Sequence, residues 1–88
     1  MHSEFEDIWN KIIANAGQSF TQLRGEQFTY SVSGTGGSIA LSRTNQNVGR
    51  ATFESAWLRR PLSRPGALSD LRAPSYLFAI LTDPRVAG

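Results

Sequence analysis

The hydrophobic period changes twice along this chain, and that change restricts its fold more than any other feature. Up to residue 16 the apolar side chains fall at Phe5, Ile8, Trp9, Ile12, Ile13 and Ala16. That spacing of three and four draws one apolar stripe along a helix. Ser3 followed by Glu6 has the spacing of a capping box, and Gly17 suits the left-handed residue that closes a helix. A helix over about residues 3–16 is expected. From Gln27 to Val32 the pattern alternates instead, putting Phe28, Tyr30 and Val32 on one face of a strand. Ser19–Leu23 is a shorter β-prone run. The segment Ser33-Gly34-Thr35-Gly36-Gly37 reads as a hairpin connection, and Ser38–Arg43 returns with Ile39 and Leu41 inward. Thr44-Asn45-Gln46-Asn47 is a turn, after which Val48 can add a brief fourth strand.

The helical period resumes over about residues 51–58, with Phe53, Ala56 and Trp57 on one side. Proline at 61 and 65 then argues against regular structure between Arg59 and Gly66, because each removes a donor and restricts the residue before it. Leu68 and Leu71 fit a short helical turn. Pro74 fits the first position of a last helix carrying Leu77, Ile80 and Leu81, with Tyr76 and Phe78 on opposite flanks, one of them exposed. Asp83-Pro84 is expected to stop it. The order predicts one α+β domain over residues 1–88: an N-terminal helix, a small antiparallel sheet of three to four strands, and two C-terminal helices.

Composition removes several classes of function. At 88 residues the chain can bury about 60–65% of its surface around one core. No cysteine is present, which excludes disulfide scaffolds, thiolate metal sites and thiol catalysis. No apolar run approaches the length of a bilayer span. The N-terminal residues lack the basic-then-apolar order of a signal peptide, so a cytoplasmic protein with no membrane association is expected. The one histidine, His2, sits at a terminus, too loosely held for a Ser-His-Asp arrangement. His2 with Glu6 gives only two metal ligands, short of a site. The glycine-rich run lacks the Lys-Ser/Thr ending of a phosphate loop and lies between two strands. The expectation is a protein that is not an enzyme, with no cofactor and no metal.

Charge is the feature that points toward a function. The net charge is only +2, but it is unevenly spread, and eight of the nine basic residues are arginine. Residues 1–26 carry a balance of −2 and residues 43–72 a balance of +4. Arginine forks pair bidentately with phosphates and carboxylates. Arg43, Thr44 and Asn45 stand at a strand end, followed by Arg50, and Arg59, Arg60 and Arg64 lie on the proline-stiffened segment. These seven are the candidate binding residues. Arg72 lies beyond them. The bland alternatives are a self-capping Thr-Asn turn and a solvated loop whose arginines tie down nearby carboxylates.

The strings Phe28-Thr29-Tyr30-Ser31-Val32, Ser42-Arg43-Thr44-Asn45, Phe53-Glu54-Ser55-Ala56 and Pro74-Ser75-Tyr76 resemble a set of small uncharacterised bacterial and phage-type proteins. The resemblance spans most of the chain. It implies no established activity and favours a mobile-element or host-defence setting. Two functions then stand side by side. One is a non-enzymatic module binding DNA or RNA through the arginines. The other is a protein-interaction module, either a homodimer or a small inhibitor of a larger enzyme, whose arginines meet an acidic protein surface. Trp57, Leu62 and Phe78 are its candidate surplus apolar groups.

Overall fold

The apolar stripe of the first segment does form a helix, and it organises everything else. The computed structural model describes residues 4–44, 46–60, 62 and 64–87. Helix α1 covers Glu4–Ala14, with Phe5, Ile8, Trp9 and Ile12 buried and three acids in its positive first turn. The capping box expected from Ser3 lies outside the described residues. Gly17 adopts φ +89°, the left-handed conformation that glycine enters without a Cβ penalty. Its N–H donates to the Tyr30 carbonyl at 2.8 Å, and the Tyr30 hydroxyl donates to the Ile12 carbonyl at 2.6 Å. One residue of the sheet thus holds both the end and the body of α1.

The expected single sheet is two sheets. Strands β1 (Phe20–Thr21) and β2 (Gln27–Phe28) pair antiparallel as a minor ribbon. Strands β3 (Tyr30–Ser33), β4 (Ser38–Leu41) and β5 (Asn47–Gly49) form a second antiparallel sheet in the order β3-β4-β5. The alternating run from Gln27 to Val32 is therefore divided at Thr29. Its two halves pair with different partners, Phe28 with Phe20 and Tyr30 with Leu41. Ser42 seals the division. Its N–H donates to the Thr29 carbonyl at 3.0 Å, and its hydroxyl accepts from the Thr29 N–H at 2.9 Å. The alternation survives the break, because Phe28 and Tyr30 are both buried and Val32 packs against the same core. At the β3–β4 hairpin Gly36 takes φ +90°, and its carbonyl accepts the Trp9 indole N–H at 3.1 Å.

Helix α2 (Arg50–Trp57) follows β5 directly and packs Phe53 against Trp9, ring centroids 5.5 Å apart. The proline-containing segment holds a 3-10 helix at Pro65–Leu68. Pro65 begins it, where the missing N–H costs nothing. The expectation that no regular structure exists before Gly66 is corrected to that extent; Pro61 and Ser63 lie outside the described residues. Helix α3 (Pro74–Leu81) buries Leu77, Ala79, Ile80 and Leu81. Its flanking aromatics do not divide into one inside and one outside. Tyr76 and Phe78 both pack partly buried against the core, Tyr76 edge-on to Phe28 at 4.9 Å. An apolar composition on all sides is what a helix covered on several sides requires.

A further short helix, α4 (Pro84–Ala87), stands where a stop was expected. Asp83 caps it by accepting the Arg85 N–H at 2.9 Å, Pro84 takes the first position, and Val86 is fully buried. The same two residues that end one helix thus start another. The folded chain exposes 5109 Å², matching the roughly 5100 Å² that a compact monomer of this mass presents. No helix among the described residues is long and apolar enough to cross a membrane.

Candidate functional site

The fold separates the candidate arginines into distinct neighbourhoods. Arg43 follows β4 and turns back toward the β1–β2 ribbon, donating to Glu26 at 3.2 Å and to the Gln27 carbonyl at 3.4 Å. Glu26 lines a cleft of about 370 Å³ with Gln22, Leu23, Arg24, Pro65 and Ser75. Arg64 directly precedes Pro65, and its Nε lies over its own loop, 4.0 Å from where a Cβ on Gly66 would stand. Arg43 is tied to this cleft through Glu26, and Arg24 is one of its lining residues. Thr44 spends its hydroxyl locally, accepting the Gln46 N–H at 3.4 Å, as a self-capping turn does. Asn45 lies outside the described residues.

Arg50 and Arg60 gather elsewhere, at the start of α1. The Arg50 guanidinium lies 5.5 Å from the centre of the Phe5 ring, and Arg60 reaches Glu4 at 3.4 Å. Arg59 is occupied within its own loop. It forms a two-pronged pair with Asp70, at 2.5 and 2.7 Å, and also donates to the Ala67 carbonyl. The Arg59 fork, with a smaller contribution from the Asp70 backbone N–H, holds the Asp70 carboxyl down at about 2. This loop is fixed by that pair, as the bland reading of the segment requires.

Arg60, a candidate from the sequence, has surroundings that the sequence does not show. The side chain folds back on the end of α2. Its Nε donates to the Trp57 carbonyl at 2.9 Å, and its guanidinium carbon sits 3.6 Å from the centre of the Trp57 ring. That is close stacking of a cation on an indole face. Beside this stack runs an open groove of about 580 Å³, lined by Trp57, Arg60, Leu62, Leu81, Thr82 and Ala87. Its volume lies in the range of sites that hold small ligands or anchoring side chains. The end of α2, the following loop, the end of α3 and α4 each supply a wall. Trp57 and Leu81 are buried residues and form its floor, while Leu62 is half-buried. Only the spacing of Trp57 and Arg60, three residues apart at a helix end, hinted at the stack in the sequence. The far walls come from residues more than twenty positions later.

No family model, curated protein or solved structure matches this chain. Among the described residues no three His, Cys, Asp or Glu side chains gather as a metal-holding group. Among the described residues, Leu23 and Leu58, at 71% and 74% exposure, are the large apolar side chains left in solvent. Trp57 is 4% exposed, in the core as its place on the apolar face of α2 predicts, and Leu62 and Phe78, the other candidate surplus groups, pack partly buried against that core. The surplus is thus spent on the core and on the floor of the groove.

Proposed function

We propose that the protein is a non-enzymatic protein-interaction module that receives a partner polypeptide in the Trp57–Arg60 groove. The observation that carries this reading is the groove itself. It combines an apolar floor with one oriented cation, a combination that anchors apolar and acidic side chains at interfaces. Three of the candidate arginines already satisfy carboxylates within the chain, which favours contact with a protein surface over a broad phosphate-binding face. Ala87 is exposed on α4 and lines the groove, so Ala87→Trp fills it with little disturbance to the core. Peptides selected from a random display library on the wild-type protein are expected to lose at least about tenfold in affinity on Ala87→Trp. They should bind unchanged to Ser31→Arg, a change at an exposed position of β3. A selection yielding no peptide sensitive to Ala87→Trp removes the reading.

A second reading, binding of DNA or RNA in the mobile-element or host-defence setting that the resemblance favours, draws on the other neighbourhood. Arg24 lines a cleft in which Glu26 is the acidic lining residue, Arg43 pairs with that Glu26, and Arg64 precedes the lining Pro65 along the chain. Exposed ion pairs such as Arg43–Glu26 exchange readily for phosphate. Contact with three phosphates of a duplex would give a log–log salt slope of about −2.7. Fluorescence anisotropy with labelled duplex and single-stranded probes at 50 and 200 mM salt measures it. An Arg24, Arg43, Arg64 triple-alanine variant should abolish the binding, and affinity independent of salt would exclude it.

A further inference from the structure

Among the four ion pairs described in this fold, the one at the groove is the longest. Arg43–Glu26, Arg59–Asp70 and Arg85–Asp83 close at 3.2, 2.5 and 3.0 Å, whereas Arg60 meets Glu4 at 3.4 Å through a single nitrogen. Arg60 is nonetheless held by two contacts independent of any acid, as Arg85 is by the Phe20 ring and the Ser19 carbonyl. The Trp57 ring beneath it and the Trp57 carbonyl on its Nε fix the guanidinium before a carboxylate arrives. A guanidinium carries five N–H donors in a rigid fork. Nε is used by the carbonyl and one Nη1 hydrogen by Glu4, which leaves Nη2 for the second oxygen of an incoming carboxylate. Glu4 itself is 69% exposed on the first turn of α1. Arg60 is also the one charged residue lining the groove among the described residues.

We infer that the groove recognises an acidic segment of a partner polypeptide, an apolar side chain flanked by carboxylates, and that Glu4 is the resident competitor for Arg60. This deepens the protein-interaction reading and rests on it. The apolar side chain enters the space above Trp57 and Leu81. A neighbouring carboxylate replaces Glu4 on Arg60, gaining the two-pronged geometry that Arg59 and Asp70 already show in this fold. Sign decides the partner: a positively charged or neutral segment gains nothing from Arg60 and leaves Glu4 in place. Glu4 then lowers the affinity, since a carboxylate that takes both terminal nitrogens must displace it from Nη1.

The probes are two blocked tripeptides, acetyl-Glu-Leu-Glu-amide and its neutral counterpart acetyl-Gln-Leu-Gln-amide, titrated into isotope-labelled protein and followed by NMR. Ligands this small are expected to bind with dissociation constants of about 1–10 mM. The acidic peptide should shift the Trp57 indole N–H and the Leu81 and Ala87 amides, at least about fivefold more tightly than the neutral one. Arg60→Gln should erase that preference. Glu4→Gln should strengthen the acidic peptide about threefold and leave the neutral peptide unchanged, a gain that a merely structural Glu4 would not give. Equal affinities, a preference that survives Arg60→Gln, or no shifts up to 20 mM would each overturn the inference. So would groove shifts that follow protein concentration without peptide, which would mark a second copy as the occupant. A third peptide, acetyl-Gln-Leu-Gln with a free terminal carboxylate, binding alone would replace the acidic segment with a chain end. If display-selected neutral peptides occupy the groove while the tripeptides show no charge preference, this inference fails and the interaction reading stands.

Discussion

Phe20→Ala is expected to lower the stability of the protein by about 3–5 kcal/mol, the range for removing a fully buried aromatic ring. Phe20 has no exposed surface and sits between Phe28 and Tyr30, with ring centroids 6.0 and 5.3 Å away. The Arg85 guanidinium covers it at 4.1 Å from the ring centre. The substitution therefore leaves a cavity and also strips Arg85 of its platform. It acts where the fold is least redundant. The β1–β2 ribbon has only two residues per strand, and a hairpin of that size does not persist without packing. Phe20 and Phe28 are the buried residues of that ribbon. An 88-residue domain has about 4–13 kcal/mol of total stability, so the loss is a large share of it. Urea denaturation followed by tryptophan fluorescence measures the effect. Leu23→Ala in the same ribbon, at an exposed position, should stay within about 0.5 kcal/mol. A cost below about 1 kcal/mol for Phe20→Ala would mean that the ribbon is held by something other than its aromatic anchor.

The second large effect is an alkaline loss of stability through Tyr30. Its hydroxyl donates to the Ile12 carbonyl in the interior, and burial pushes the phenol well above its ordinary range, with Arg85 opposing in part. Below about pH 10 the phenol is protonated in both the folded and the unfolded chain, and Tyr30 adds no pH dependence. Above that pH the unfolded chain releases the proton while the folded chain keeps it. Stability then falls by up to about 1.4 kcal/mol per pH unit for as long as the folded phenol keeps its proton. Other groups titrate in the same window, so the comparison with Tyr30→Phe isolates the effect. That variant loses the hydrogen bond to Ile12 at neutral pH, about 1–2 kcal/mol. Its stability should then decline less steeply than the wild type between pH 10 and 12. Parallel declines in urea melts would show that Tyr30 is already exposed to hydroxide in the native state.

Much of this architecture was legible because it is written in local periodicity. The stripe from Phe5 to Ile12 and the alternation from Phe28 to Val32 each depend only on which side of an element a residue faces. Those patterns hold whatever the element packs against. The division of the sheet at Thr29 was not legible. Both halves keep the same alternation, and only the pairing partners, Phe20 and Leu41, tell them apart. Asp83-Pro84 was ambiguous for a related reason. Proline ends one helix and begins another equally well, and the choice rests on Val86 finding a place in the core.

The arginines mark the same boundary for function. Sequence determined that this chain is a small α+β domain without cysteine chemistry, with its positive charge concentrated between residues 43 and 72. Only the tertiary structure decided where that charge goes. It set Arg60 against Glu4, 56 positions earlier, and Arg43 against Glu26, and it laid Arg60 on Trp57 beside walls supplied by α3 and α4. A charge count along a chain is local, whereas electrostatic interaction falls off with distance through space. Which carboxylate or which groove an arginine meets is therefore settled by packing and not by composition.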